Sequence, residues 1–550
     1  MKKQSFFSGT ILLIIGGFFA KIVGALYKIP LTNIIGSEGI GMYYLVFPLY
    51  NLLLVMCSSG VGLSVTKLVA KEPHKNNRRK IFISGMLISI TLSVISACIV
   101  VLLSKRLSIQ QGEILPSLGF VLISPAIVIS SLIAISKSYF QGIQNMFPST
   151  LAMISEQLLK MIFGILFTLS LVDKGITYAV LGAILAVTIS EGITLIFLWL
   201  YVVVTKERKS TSSCSNVISI KKVIKLHNKS FLVNMYANQR VTLKVVCKRV
   251  LAEVIPNTLI FLVSPIATFL DSFLIIKLLI GSGYSSSVAT CLYGINSGVV
   301  ATLIALPVII TSAISTALVP NLSGEMEVCN NQKKSDKISF FIKITWVVIL
   351  PICAIFIIFS KDMIVALYNF SSVGEVNELA FAVQLLRVSS ISIIYSALMS
   401  TLVAIIQSLE KTHRLFIVLC VCIGIRFVFL IVFIQYINIF SVVIANTVYY
   451  TLVVIVSICL IKSKYRITFN PYRLLIIPIV SVITAVVVTN VVILLVKNIW
   501  LRMIIGGGAF VVMYLLMALI LRVFNEEEIA YIPILRKLYI TTKNGYYSQK

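Results

Sequence analysis

Eight basic side chains stand inside long apolar runs: Lys21, Lys28, Lys67, Lys160, Lys277, Lys343, Arg387 and Arg426. Four acids share those runs: Glu156, Glu191, Glu253 and Asp271. A charge at the centre of a membrane helix costs roughly 2.5–3.5 kcal/mol, so eight uncompensated bases would cost roughly 20–28 kcal/mol. That rivals the stability of a whole protein. Each base must therefore snorkel to an interface, find a partner or line a wet cavity. Lys67, Lys277 and Lys343 lie near run ends, where a long stem reaches the headgroups. Lys28 follows Lys21 by two helical turns on the same face, which makes a basic stripe. Glu156 and Lys160 form an i,i+4 pair in the favourable order, equally readable as a structural salt bridge. Arg387 and Arg426 lie deeper, with no acid at helical spacing, and a guanidinium can bind phosphate through two parallel hydrogen bonds. Asp271 lies mid-run and could pair with a base or respond to a coupling ion. The candidate binding set for an anionic ligand is Lys21, Lys28, Lys160, Arg387 and Arg426. Glu156 and Asp271 are the candidates for charge balance or ion coupling.

The elements that position these groups follow from composition. Of 550 residues, 59% are hydrophobic and 12% charged, and the mean hydropathy is +1.03. A soluble domain carries about twice that share of charge, which excludes a soluble enzyme or a disordered chain. A membrane span needs about 20 apolar residues. Fourteen are read, at 6–28, 39–66, 81–104, 115–136, 151–172, 176–204, 251–280, 288–319, 338–360, 376–406, 415–434, 438–461, 472–496 and 500–522. The first run continues past Lys21 to Tyr27 without an obvious cleavage site, so it reads as a span rather than a signal peptide. If the N-terminus is cytoplasmic, 33 of the 47 Lys and Arg fall in inner segments and 6 in outer ones. That bias supports an even number of spans with both ends inside. The formal charge of +28 thus reads as loop topology rather than as affinity for nucleic acid.

The fold class expected is an all-α polytopic membrane protein of about fourteen transmembrane helices, two pseudo-symmetric six-helix lobes plus two C-terminal helices. The N-lobe is residues 1–204, a basic cytoplasmic linker is 205–250, and the C-lobe is 251–461. The last two spans lie in 462–522, and 523–550 is a cytoplasmic tail. The linker carries eleven Lys and Arg and a Ser/Thr-rich stretch, which suits contact with anionic lipid headgroups. A repeat supports the two lobes. Gln141-Gly142 precedes Lys160 by nineteen residues, and Gln407-Ser408 precedes Arg426 by nineteen. Ile35-Gly36 with Tyr43 and Pro48 is matched more loosely by Ile280-Gly281 with Tyr293 and Pro307. Repeated lobes around a midplane site are the usual construction of alternating-access transporters. Pro48, Pro125, Pro265, Pro307, Pro351 and Pro478 are expected to kink the spans that contain them.

No enzyme signature accompanies these features. There is no Gly-Lys dipeptide, hence no Walker A loop. His74, His227 and His413 are read as loop residues without metal-ligand spacing, and no Cys-x-x-Cys is present. No cofactor is implied.

Two segments resemble a known family. Ala20-Lys21-Ile22-Val23-Gly24-Ala25-Leu26-Tyr27-Lys28-Ile29-Pro30-Leu31, followed by Gly36-Ser37-Glu38-Gly39-Ile40-Gly41-Met42-Tyr43, is similar to the first hairpin of the stage V sporulation protein B family. Tyr139-Phe140-Gln141-Gly142-Ile143-Gln144-Asn145-Met146-Phe147-Pro148, with Glu156-Gln157 and Lys160, resembles its span four–five motif. Span seven, with Ile255-Pro256 and Asp271, is similar as well. Lys137-Ser138 stands where that family has Arg-Gly, and Lys28 and Lys160 where it has Arg; charge is kept and bidentate geometry lost. The family belongs to the polysaccharide-transport branch of the multidrug/oligosaccharidyl-lipid/polysaccharide flippase superfamily. The resemblance implies a flippase in the bacterial plasma membrane, related to lipid II flippases. Its cargo would be an undecaprenyl-linked anionic glycolipid for peptidoglycan, spore cortex or another polymer, and cell-wall synthesis proteins would be its partners. Two rivals remain: a cation-coupled multidrug exporter of the same superfamily and a non-transporting scaffold for spore-wall assembly. The exporter relatives often carry an acid in span one, and none is present here.

Overall fold

A computed structural model describes residues 6–111, 117–210, 243–312, 331–370, 377–408, 412–463 and 472–524. Among them the chain is helical, without strands, as the apolar runs require. In hydrocarbon, backbone groups have no water to bond, and a helix satisfies them within one segment. Among the described residues, thirteen helical stretches are long and apolar enough to cross a membrane. The first of these, Leu12–Lys71, has 60 residues. At 1.5 Å per residue it would be about 90 Å long, roughly three hydrocarbon thicknesses. It doubles back instead. Helix α1 (Phe6–Leu54) has a non-helical residue, Gly36, at φ 71° and ψ −178°. That combination is essentially restricted to glycine.

Neighbours prove the reversal. Before Gly36, Gly16 lies against Thr150 and Gly24 against Gln157, and Tyr27 lies against Gly164. This arm therefore runs parallel to α5 (Met146–Val172). After Gly36 the chain continues through a π-helical turn, Val55–Ser59, into α2 (Gly60–Lys71). There Gly62 lies against Ser138 and Val69 against Gly142, so this arm is parallel to α4 (Leu118–Gly142). Helices α4 and α5 are themselves antiparallel, since Ser149 Oγ donates to the Lys137 carbonyl at 2.9 Å across their turn. The sequence count of fourteen treats the two arms of this hairpin separately.

The chain divides into two compact units, Met1–Lys277 and Leu278–Lys550, so the division falls inside α7 (Leu243–Gly281) rather than in the linker. The first unit adds α3 (Lys75–Gln110) and α6 (Ile176–Ser210). Helix α3 carries buried Ser84, Ser89, Ser93, Ser96, Ser104 and Ser108. Such small residues let helices approach closely in lipid. The core of the unit gathers Tyr27, Leu31, Ile35, Tyr43, Val46 and Tyr50 of α1 with Phe120 and Ile127 of α4 and Ile184 of α6. The flanks of the linker, 205–210 and 243–250, continue α6 and α7; residues 211–242, with His227, lie outside the described residues, as does the tail from 525.

After the end of α7, the second unit holds α8 (Ser286–Gly294), a π turn (Ile295–Val300) and α9 (301–312). It continues with α10 (Asn331–Ile358), α11 (Ser360–Leu367), α12 (Glu378–Ser408), α13 (Thr412–Ile437) and α14 (Phe440–Lys462). The last two helices, α15 (Ile477–Leu495) and α16 (Ile499–Ile520), pack on α10 through Val347, Ala485, Phe510 and Tyr514. Tyr514 OH donates to the Val347 carbonyl at 2.7 Å, and an Arg502–Asp362 ion pair fastens α16 to α11.

The turn before α8 holds Gly283, at φ 97°, and Gly281 ends α7. Pro478 lies within the continuous helical stretch Tyr472–Leu495, directly after a π-helical turn, Tyr472–Ile476, where the regular α-helical ladder begins. His413 lies within α13, not in a loop.

Candidate functional site

The first unit gathers a buried polar cluster where four of its elements meet. Glu156 and Lys160 are one turn apart on α5, and their side chains meet at 4.0 Å. On α6, Glu191 lies fifteen residues after the helix begins and is 1% exposed. Its Oε1 is 3.8 Å from Lys160 Nζ and accepts a hydrogen bond from Tyr50 OH, on the second arm of α1, at 2.5 Å. Ser130 Oγ of α4 contacts Glu191 Oε2 and is 2.8 Å from Tyr50 OH. Lys137, also on α4, pairs with Glu156 at 3.3 Å. Two ammonium groups and two carboxylates thus alternate in one chain, Lys137–Glu156–Lys160–Glu191. Such pairing is what the low-dielectric interior demands of buried charges.

Sequence reasoning found the Glu156–Lys160 pair through its spacing. It assigned no role to Glu191, though a carboxylate in the middle of an apolar helix is itself a signal of function. It missed Tyr50 and Ser130, and placed Lys137 in a loop. The structure sets Lys137 inside α4 with its side chain 20% exposed.

The remaining bases of the first unit sit differently. Lys28 is half-buried and its Nζ lies 5.1 Å from the Tyr44 ring centroid, on the opposite arm of the α1 hairpin. Lys21 is exposed on the first arm. Asp271 is half-buried on α7. Lys67 and Lys277 are exposed, as snorkelling side chains would be.

In the second unit, Arg426 is 4% exposed on α13, and its Nε donates to Asn446 Oδ1 of α14 at 2.6 Å. Its guanidinium carbon lies 5.1 Å from the Phe427 ring centroid. Arg387 of α12 is exposed, and its Nε donates to Ser360 Oγ at 2.8 Å. The two arginines thus stand on different helices against separate neutral acceptors. Lys343, expected to snorkel from a span end, is instead buried in α10, with Nζ 5.4 Å from the Phe524 ring centroid. A ring face can attract an ammonium group in place of water.

The sequence matches the polysaccharide biosynthesis protein family over residues 6–326. The chain belongs to that family. Stage V sporulation protein B of Bacillus subtilis (strain 168) is 27% identical over 347 residues, which is 62% of this chain and 61% of that protein. The match therefore spans less than two thirds of the relative's length. By fold, the chain is similar to lipid II flippase MurJ in its inward closed conformation, with a TM-score of 0.67 and 15% identity over 93% of this chain and 98% of the other. It is also similar to a multidrug resistance MATE family transporter of the MOP superfamily in an inward-facing conformation, with a TM-score of 0.61 and 15% identity over 80% of this chain and 95% of the other. These neighbours are named as a flippase and a transporter, not as enzymes. This member of the family is a multi-pass membrane protein with their fold.

Proposed function

We propose that the protein is a membrane flippase that carries an undecaprenyl-pyrophosphate-linked cell-wall precursor across the bacterial plasma membrane by alternating access. One observation carries the reading. Lys160 and Arg426 stand at the same offset after their motifs, and each is held by a polar group on the following helix, Glu191 or Asn446. A base retained at a costly position in both units is what an anionic cargo needs. In this reading the two lobes are residues 1–204 and 251–461, with the last two helices appended.

Lys21, Lys28, Lys160, Arg387 and Arg426 receive the diphosphate, while Glu156 and Asp271 balance charge or couple an ion. Both termini face the cytoplasm, and the basic linker rests on anionic headgroups. The family match and the likeness to a lipid II flippase support this cargo class.

The test is depletion of the protein in its host, with leaflet-specific labelling of the lipid-linked precursor. Precursor should accumulate on the inner leaflet, and Arg387→Ala with Arg426→Ala should fail to restore export at normal protein level. Unchanged leaflet distribution on depletion removes the flippase reading. Full rescue by both variants removes the arginines from the site.

A further inference from the structure

We propose that Glu191 is a proton-binding site whose occupancy sets the charge of the first unit's polar cluster. The argument is a count of hydrogens. Glu191, Tyr50 and Ser130 form a closed ring of three contacts: Tyr50 OH to Glu191 Oε1 at 2.5 Å, Ser130 Oγ to Glu191 Oε2, and Tyr50 OH to Ser130 Oγ at 2.8 Å. The phenol and the hydroxyl each own one hydrogen. With Glu191 ionised, two hydrogens serve three contacts, and one buried oxygen pair meets lone pair to lone pair. A proton on Glu191 supplies the third. Tyr50 then donates to Oε1, the carboxyl O–H donates to Ser130, and Ser130 donates to Tyr50. Every residue in the ring then both gives and receives a hydrogen bond, and no buried contact lacks its hydrogen.

The charged groups that face Glu191 come from every element packed on α6. The second arm of α1 offers Tyr50, α4 offers Ser130 and Lys137, and α5 offers Lys160 and Glu156. Lys160 is the group that opposes protonation, because an ammonium favours a carboxylate. Its 3.8 Å separation is about 1 Å longer than a charge-assisted hydrogen bond. It also stands nearly midway between Glu191 and Glu156, at 3.8 and 4.0 Å. Lys160 can thus serve either acid, and Glu156 already has Lys137 at 3.3 Å.

The consequence is a change of charge without a change of packing. With Glu191 ionised, two ammonium groups face two carboxylates and the cluster is neutral. With a proton taken from water, Glu191 becomes a neutral acid, and the cluster carries one net positive charge. Lys160 is then released from Glu191. A cluster that becomes cationic on binding a proton is suited to receive an anionic cargo together with that proton. This last step rests on the flippase reading; the proton site itself does not.

The experiment is infrared difference spectroscopy on the full-length protein in lipid vesicles, titrated with pH in the absence of cargo. The expected result is a protonated-carboxyl C=O band that rises as pH falls and is lost in Glu191→Gln. Ser130→Ala, which keeps the acid and opens the ring, should keep the band and shift both its frequency and its midpoint. No titrating band in the wild type, or one that survives Glu191→Gln, overturns the proposal. A band bleached by sodium at fixed pH also overturns it and makes the ring a metal-cation site. Given the band, cargo movement in the same vesicles tests the link. It should quicken at least threefold on acidification in the wild type and lose that dependence in Glu191→Gln. An unaltered pH profile in the variant breaks the link and leaves the proton site standing.

Discussion

Lys160 and Arg426 occupy the same place in two stretches of sequence, and the contacts that hold them differ in kind. Lys160 stands between two carboxylates, in a cluster with as many acids as bases. Arg426 is more deeply buried, yet the acceptor of its Nε–H is an amide, Asn446. An ammonium is a compact, strongly hydrated charge and needs a counter-charge when desolvated. A guanidinium is delocalised and more weakly hydrated, so it can donate to a neutral acceptor and lie beside an aromatic ring. The comparison teaches that a positive charge at the same offset can be held in two different manners. It also separates two roles: a charge that a proton can unmask, and a charge that is permanent.

Breaking each anchor should expose the difference. Lys160→Met leaves Glu191 buried without its ammonium, and removing one partner of a buried pair costs about 3–5 kcal/mol. Thermal unfolding in detergent should show that loss. It should be larger at alkaline than at acid pH, because a proton on Glu191 relieves the stranded charge. Adding Glu191→Gln should recover most of it. A loss that is independent of pH and not recovered by the second substitution would place the cost in packing.

In the other unit, Asn446→Leu removes a neutral acceptor from a charged donor, a loss of about 1.5–3 kcal/mol. No pH dependence should accompany it near neutrality. An equal pH dependence in both units would erase the distinction drawn here.

The hairpins offer a second comparison. Gly36→Ala places a side chain at φ 71°, ψ −178°, and should cost about 1–3 kcal/mol even though nothing crowds the added carbon. The smallest effect is expected at Lys343. Phe524→Ala removes the ring beneath its ammonium, worth about 0.5–2 kcal/mol. Differential scanning of the purified variants would rank all four.

The helical architecture was legible because hydropathy runs and basic loops are local signals. The pair Glu156–Lys160 was legible for the same reason, since four residues of helix bring the two side chains to one face. Glu191 was visible as an acid in an apolar run, but its role was not. Its partners Tyr50 and Ser130 are 141 and 61 residues away, and only packing of α1, α4 and α6 brings them together. Lys137 was lost to a boundary, because the α4 helix runs to Gly142, past the end read at 136. Lys343 was misjudged because distance from a span end says nothing of a ring contributed by residue 524.

The measurement closest to the central claim uses the purified full-length protein in vesicles with two fluorescent lipids of the same chain and glycan, one joined through a diphosphate and one through a neutral linker. Only the diphosphate lipid should change leaflets at a rate set by the protein, and Arg387→Ala with Arg426→Ala should slow it at least tenfold. Equal movement of the neutral lipid, or no protein-dependent movement of either, would contradict the view that these bases carry an anionic headgroup across.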